Sequence, residues 1–587
     1  MVGWRIVPSQ PVMVFRRSDM YGHKFPDRTF MYGYRACETV LPDYPEPTGD
    51  VRYRPTPRLE SYHGNDRPPI AVSAGPDFNA ALPRPDTTDP NSLLQGIGKR
   101  MGFDPPPFNR AKRRRFRKFV KKWCTENLKP FETGKEFDFE EWLDTTNYPA
   151  WRKDELRTVR REIDEKYPCP YDIPTHSGSK YTRVKVFTKD EAYTEYKQFR
   201  GIWARADGFK SVFGPITKAI ESVVFMNPSF IKKIPVKDRP KYIMEMMYKD
   251  GYRYFTTDFN QYESHFVKLL MMDCEFILYR YMLQNVKWFD KIMKMMTRVL
   301  TGENYCENAH FVIWCLAKRM SGEMNTSLGN GFSNLMFILF AAYEYAIQMT
   351  KPAVEGDDGL FGVRGELPKE HFTDLGLTVK MECHESLATA SFCGLVFDPG
   401  ELIVITEPLK VIYNTPWLSR EYSFSTKKKL RGLLKSKALS ICWQYYGCPI
   451  VYKYGLKLLE LLNGIEIVRP RYSYWESGVF EDALKHYSEF GFPLVSPGAS
   501  TRGLMERKFG VTVDQQLQIE QEIDSLSLEN PNYLPTLELV TPRLWKTHYS
   551  RYCRRFTEEN EMSLRRFDIA KGEYNIKLKL RAPAQRK

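Results

Sequence analysis

Val354-Glu355-Gly356-Asp357-Asp358-Gly359-Leu360-Phe361 sets two adjacent carboxylates between apolar residues, with a glycine on either side. The flanks, Lys351 to Val354 and Leu360 to Val363, have the length of short strands. Gly-Asp-Asp between them reads as the tight turn of a hairpin, because glycine accepts backbone angles that a side chain forbids. Two neighbouring carboxylates at such a tip repel each other, so a cation should compensate them, and hard divalent cations take oxygen ligands. An ordinary surface turn has the same composition. The flanking chain has to decide between the two.

Upstream, Tyr252 to Thr257 reads as a strand ending at Asp258, followed by one long helix from Tyr262 to about Leu283. That order sets Asp258 at the carboxyl end of a strand, a common position for site residues. A helical region holding Met295 and Trp314 leads to the small and polar residues Met320 to Gly331, a loop that opens into an apolar helix, Phe332 to Ile347. Ser, Thr and Asn near a helix start serve as caps. Capping does not need so many glycines, whereas close approach of backbone to a ligand does.

Lys180 to Arg205 is strongly basic. Its segments Val184 to Phe187 and Gly201 to Ala204 read as strands flanked by cations, a hairpin suited to gripping triphosphates, with Arg200 and Arg205 as nucleotide contacts and Lys185 and Lys189 as candidates for RNA contact. Arg110 to Lys122 carries no acid. Phe116, Phe119 and Val120 share one helical face there, and Arg113, Arg114 and Arg115 are candidates for RNA phosphate, which lysines and arginines bind by displacing counterions. A solvated helix face is the plain alternative. Residues 138 to 166 should be helical. The proline-rich residues 1 to 108 read as an extended arm without long helices. Downstream, Ser391 to Phe397 reads as a strand, the chain beyond about 420 as helical, and Lys577 to Lys587 as a basic tail.

At 587 residues, 42% apolar and 14% aromatic, the chain has ample core, and a net charge of +15 favours a polyanionic partner. Eleven scattered cysteines include no Cys-x-x-Cys pair, which argues for reduced thiols and against a structural zinc site. Met1 to Phe15 does not read as a signal peptide. Phe332 to Ala342 is about half of what a membrane span needs. It reads as a buried helix, so any membrane anchor is expected on another chain. No Gly-x-x-x-x-Gly-Lys-Ser/Thr occurs, which disfavours a P-loop ATPase.

Together, Asp258, the Ser321 to Asn330 loop and the Asp357-Asp358 hairpin, all downstream of a basic hairpin, have the order of a templated nucleotide polymerase. Joining a nucleotide to a 3′-hydroxyl needs that hydroxyl activated and pyrophosphate stabilised. Two metal ions roughly 3.5–4 Å apart do both, held by bridging carboxylates. Asp258 and Asp357 are the bridging candidates and Asp358 a further ligand. Arg200 and Arg205 would supply positive charge around the transferred phosphoryl group.

The set resembles the RNA-dependent RNA polymerases of positive-strand RNA viruses, in particular the nodavirus and tombusvirus-like groups, over roughly residues 180 to 400. Asp258-Phe259-Asn260-Gln261-Tyr262-Glu263 resembles the first palm motif. Ser321-Gly322, Thr326 and Asn330 match the second, and Gly356-Asp357-Asp358 the third. Gly376 to Lys380 is similar to the fourth, and Phe392-Cys393-Gly394 to the fifth. The resemblance implies an α+β, right-hand architecture with an antiparallel palm sheet backed by helices. Fingers would occupy 109–240 with an insertion at 284–318, the palm 241–283 and 319–415, and the thumb with a basic tail 416–587. Residues 1–108 would bridge fingers and thumb or bind another replication protein.

It further implies two Mg2+ or Mn2+ ions, a proton donated by Lys380 to leaving pyrophosphate, and a nucleotide site including Ser321, Thr326, Asn330 and Glu263. The family has Asp where this chain has Glu263, the acid that works with the loop asparagine on the ribose 2′-hydroxyl. A polar acceptor there disfavours a reverse transcriptase, which places a bulky aromatic at this point. The implied partners are RNA template and nascent strand, NTPs, other viral replication proteins and host membranes reached through a partner, with no DNA. The implied location is the host cytoplasm at membrane-associated replication complexes. A non-enzymatic RNA-binding replication factor would explain the charge but not the carboxylates.

Overall fold

The computed structural model describes residues 13–14, 51–57, 71–85, 90–198, 200–368, 370–422, 425–470, 474–528 and 532–550. The chain is mixed α/β with small antiparallel sheets. The basic run Lys577 to Lys587 lies outside the described residues.

The central sheet carries the Asp-Asp hairpin. Ala353–Glu355 pairs with Asp358–Arg364, which pairs with Arg253–Phe259, which pairs in turn with Val379–His384, all antiparallel. The turn is therefore two residues, Gly356 and Asp357, and Asp358 opens the returning strand. Gly356 has φ +62°, the left-handed value that a tight two-residue hairpin requires at its first central position.

One face of this sheet lies under the helix Thr326–Tyr345. Phe255 stacks on Phe361 at 5.9 Å and joins a core that includes Phe332, Phe337 and Phe116. The opposite face is closed by a smaller cluster holding Tyr254, Leu360, Ile243 and Phe392. No helix among the described residues is long and apolar enough to cross a membrane. The apolar stretch from Phe332 is buried in this core, as expected.

A second sheet has the order 13–14, Val51–Pro55, Phe311–Leu316, Glu303–Glu307, Val184–Thr188, Gly201–Arg205, with one parallel pair between Val184–Thr188 and Glu303–Glu307. The basic hairpin thus forms as expected. Trp314 sits in a strand, not a helix, because Phe311–Leu316 is a short apolar run that pairs on both sides. The described residues from 408 to 550 form a largely helical bundle, including Lys427–Gln444 and Val451–Leu461, around a third core.

The described part of residues 1–108 is less arm-like than its prolines imply, and the rest of the expected arm lies outside the described residues. Pro90–Arg100 is an 11-residue helix whose Leu93, Leu94 and Ile97 pack under the second sheet with Val51, Tyr53 and Trp203. Ala71–Ser73 pairs with Trp417–Ser419, and Val72, Ala74 and Leu82 enter the bundle core. This stretch joins the second sheet to the helical bundle.

Four further elements differ from the sequence reading. The region 138–166 is two helices, Phe139–Asp144 and Ala150–Lys166, separated at Pro149. The expected long helix after Asp258 is three short ones, Tyr262–His265, Lys268–Asp273 and Glu275–Leu283. At the first break Lys318 takes the carbonyls of Ser264 (2.9 Å, from Nζ) and Phe266 (3.0 Å, from its backbone N–H) that a helix would have used. Ser391 to Phe397 is mostly turn, with Cys393 and Gly394 at φ +53° and +73°, leaving only Val396–Phe397 as strand. The helix expected from Phe332 begins at Thr326, so Gly329, Asn330 and Gly331 are helical residues.

Arg110–Asn127 is a helix with Phe116 and Val120 buried and Phe119 packed at the edge of the same core. Like charges along its length oppose the helix by about 0.2–0.5 kcal/mol per pair. Burying Phe116 alone is worth about 1.5–3 kcal/mol, which outweighs several such pairs. Every cysteine among the described residues is a free thiol.

Candidate active site

Asp258 is the sixth residue of Arg253–Phe259 and stands directly opposite Lys380. On its other side the register runs through Gly359 opposite Thr257, so one step further sets Asp358 opposite Asp258. Opposite residues in an antiparallel pair share a face. Asp258, Asp358 and Lys380 therefore lie together at one end of the sheet, and the Asp357 turn rises beside them.

The hairpin is held from behind. Asn334 Nδ2, one turn along the helix from Asn330, donates to the carbonyls of Gly356 (3.3 Å) and Asp358 (3.0 Å). At Gly359 an added Cβ would meet Thr257 Oγ1 at 2.6 Å and Ile338 Cδ1 at 2.9 Å, so glycine is what lets the strand lie against the helix. Asn334 was not singled out by the sequence reading. Its signal was an asparagine at i+4 from the loop asparagine, on the same helical face.

Five carboxylates surround this point, and they are not equally compensated. Glu355 pairs with Arg239 at 2.8 Å, and Glu263 pairs with Arg100. Asp258, Asp357 and Asp358 make no ion pair among the described residues. Asp357 is open to solvent at the tip while protein crowds it from behind. Desolvation, then Glu263 and Asp258, raise its carboxyl above the usual range. Asp358 is raised further, to about 7, by desolvation and then by the charges of Asp357 and Asp258.

A raised carboxylate destabilises the fold once it must ionise. That burden is absent below the unfolded-state value near 4, grows as pH rises and is complete above about 7. Asp358→Asn is expected to melt higher than the parent at pH 8 in the absence of divalent ions, the gap closing as pH falls toward 4. A pH-independent difference in melting temperature would contradict this.

No group of three or more His, Cys, Asp and Glu side chains among the described residues forms a ready metal cage. Mg2+ at phosphoryl-transfer sites takes one or two carboxylates and completes its shell with water and substrate phosphates, so a full protein cage is not what this chemistry needs. Three oxygen-donor groups without an ion pair, on two adjacent strands and the turn between Ala353–Glu355 and Asp358–Arg364, two of them with protonation favoured by burial and then by neighbouring acids, fit such an ion. Cys393 lies behind them, its Sγ 3.6 Å from Glu355 Oε2.

The other candidates fall into two groups. Asn330 accepts from Arg319 Nε at 3.0 Å, and the backbone N–H of Arg319 donates to the Glu263 carbonyl at 2.9 Å, so one residue ties Asn330 to Glu263. Arg319 is itself buried against Glu275 at 2.7 Å and over the Phe266 ring at 4.2 Å. Gly329 is required here too: a Cβ would sit 2.3 Å from Glu275 Oε2. The glycine makes room for a buried ion pair and not, as its setting in the sequence implied, for a ligand. Ser321 Oγ accepts from the Trp203 N–H at 3.2 Å, clipping its loop to the second sheet, and Thr326 Oγ1 donates to the Met320 carbonyl at 2.8 Å.

Among the basic residues, Arg205 is turned away from the expected triphosphate role. Its side chain is 2% exposed, paired with Glu323 at 2.7 Å and donating to the Thr182 carbonyl. Arg205 stands opposite the buried Val184 and shares the inward face of the hairpin, where it meets a buried acid. Arg200 remains 44% exposed and pairs with Glu191, which Lys189 also contacts at 2.7 Å. Lys380 is 67% exposed and paired with Glu382 at 2.5 Å. Glu382 and, more weakly, Asp258 hold its ammonium in the charged form.

Arg113 pairs with Asp273 and Arg115 with Glu344, so both are engaged within the chain, whereas Arg114 and Lys185 are exposed. Arg100 was missed because its helix was read as an arm. It feels the charges of Glu263, Arg200 and Asp357. A cavity lined by Phe78, Tyr413, Leu537 and Lys546 belongs to the helical bundle and shares no residue with this site. Comparison of the chain with protein-family models, and with curated proteins, finds no match.

Proposed function

We propose that the chain is a template-directed RNA polymerase that joins ribonucleotides on an RNA template for viral genome replication. The observation that carries this reading is the set of three unpaired carboxylates, Asp258, Asp357 and Asp358, at the end of one antiparallel sheet, where neighbouring acids already have their own cations. The resemblance of the ordered motifs to viral RNA-dependent RNA polymerases supports the same reading. In it the second sheet belongs to the fingers, the hairpin sheet is the palm and the helical bundle the thumb.

Asp258, Asp357 and Asp358 would hold Mg2+ or Mn2+, which when bound activates a 3′-hydroxyl and stabilises the pyrophosphate leaving group. The protein's own part is position and charge. Arg200, 44% exposed and paired with Glu191, would offer a guanidinium suited to triphosphate oxygens. Lys380, charged and opposite Asp258, would give a proton to leaving pyrophosphate. Glu263 and Asn330, tied together through Arg319, offer acceptors for a ribose 2′-hydroxyl. Arg114 and Lys185 are the exposed cations for template and nascent strand. Other replication proteins and a membrane reached through one of them complete the proposed setting, in the host cytoplasm.

The test is NTP incorporation on a single-stranded RNA template with Mg2+, run beside the Asp357→Ala, Asp358→Ala double variant. Template-length product from the parent alone is the expected result. Equal background from both, with RNA still bound, would replace this reading with that of an RNA-binding replication factor.

A further inference from the structure

We propose that Arg100 is a positioning residue for ribose selection, locking the Glu263 carboxylate as an acceptor for the 2′-hydroxyl; this rests on the polymerase reading above. The longer stem of Glu263 is the motive. A glutamate reaches further than an aspartate but has one more rotatable bond, and an acceptor that swings does not discriminate. Something must fix it.

The surroundings of Glu263 do so from two sides. Below, its backbone carbonyl accepts from the Arg319 N–H at 2.9 Å. The next carbonyl, that of Ser264, accepts from Lys318 Nζ at 2.9 Å, and His265 Nε2 accepts from the Thr378 N–H at 2.9 Å. The turn that carries Glu263 is therefore fastened at three successive residues. Above, Arg100 meets both carboxylate oxygens, Nε to Oε1 and Nη2 to Oε2, the latter at 3.2 Å. Such a fork constrains the plane of the carboxylate as well as its distance.

Arg100 is itself well anchored. It ends the helix Pro90–Arg100, whose Leu93, Leu94 and Ile97, with Met101 beyond it, are buried with Val51, Tyr53, Val184 and Trp203. Burial works against the Arg100 cation, and Glu263 more than offsets it. Two N–H donors do not exhaust a carboxylate, which has about four acceptor positions. Glu263, with its side chain 14% exposed, keeps capacity for a hydroxyl. Asn330, fixed through Arg319, stands as the second polar group of the same site. A stretch of chain far from every palm motif thus sets the orientation of a palm acid.

Single-nucleotide incorporation of ATP and dATP opposite a template uridine tests this on the full chain, comparing kcat/KM ratios for the parent, Arg100→Ala, Arg100→Lys, Glu263→Ala and the Arg100→Ala, Glu263→Ala double variant. Arg100→Ala is expected to lower the ATP-to-dATP ratio by roughly tenfold or more, the scale of a hydrogen bond to a charged group, with the loss in the KM for ATP. Arg100→Lys, which keeps the charge but not the fork, should fall between. The double variant should select no worse than Glu263→Ala alone, because Arg100 acts through that carboxylate. Equal losses for ATP and dATP in Arg100→Ala or Arg100→Lys would overturn the proposal and make Arg100 a phosphate contact or a structural residue. Should Arg100→Ala fail to fold, as read by thermal unfolding, the ratio in Arg100→Lys decides. No incorporation by the parent would reject the polymerase reading itself, a result distinct from an active parent with an unmoved ratio.

Discussion

Glu275→Ala is expected to destabilise the folded chain by about 3–5 kcal/mol, the usual penalty for leaving a buried charge without its partner. Glu275 is fully buried and Arg319 is 2% exposed, 2.7 Å apart. Tyr279 donates to the same Glu275 oxygen at 2.9 Å, and Asn325 Nδ2 reaches the Tyr279 hydroxyl at 3.0 Å. Removing the acid strands a guanidinium in the core, where the Phe266 ring recovers only part of its lost partner.

The loss should reach the site as well, since Arg319 holds both Asn330 and the Glu263 backbone. A paired replacement, Glu275→Leu with Arg319→Met, separates the two effects. It is expected to recover most of the stability, as apolar replacements of buried pairs often do, while leaving Asn330 unfastened and raising the KM for NTP. Urea unfolding and steady-state kinetics measure the two quantities. An unfolding midpoint for Glu275→Ala equal to that of the parent would remove the ion pair from its anchoring role.

Asp258→Asn is expected to lower nucleotide incorporation by roughly 10²–10³-fold or more, the scale on which one preorganised electrostatic group acts at a reacting centre. The change is nearly isosteric, so packing is retained and the charge alone is removed. On the proposed reading RNA affinity should stay close to that of the parent, because lysine and arginine contacts to phosphate would carry it. Asp258 also contributes to raising Asp357 and Asp358. The variant should therefore ionise these two at lower pH, a shift that carboxyl-region NMR titration reads directly. Incorporation at the parent rate would exclude Asp258 from the chemistry.

What the sequence made legible was local. Glycine before a carboxylate pair, flanked by short apolar runs, is enough to define a hairpin, and strand Arg253–Phe259 announces itself by its aromatic and threonine residues. The same logic found Phe116 and Val120 on a buried helix face. What stayed hidden depended on partners distant along the chain. Arg205 looks like a surface cation until Glu323 is placed beside it, and Gly329 looks like a loop glycine until the Glu275–Arg319 pair fills the space above it. The helix break at Phe266 arises from Lys318, more than fifty residues later. The Pro90–Arg100 helix is a different case. Leu93, Leu94, Ile97 and Met101 have helical spacing, and the surrounding prolines masked it.

The route of the N-terminal segment has a consequence for how the chain is made. Apart from its two-residue pairing with 13–14, Val51–Pro55 pairs among the described residues with Phe311–Leu316, and Ala71–Ser73 with Trp417–Ser419. The N–H of Ala81 waits longer still, for the carbonyl of Trp545, whose indole N–H in turn reaches the Thr194 carbonyl at 2.9 Å. During synthesis from the ribosome, Val51–Pro55 and Ala71–Ser73 thus wait for partners made several hundred residues later. They remain exposed while several hundred residues follow, a delay that favours slow, late completion of folding and an aggregation-prone nascent chain.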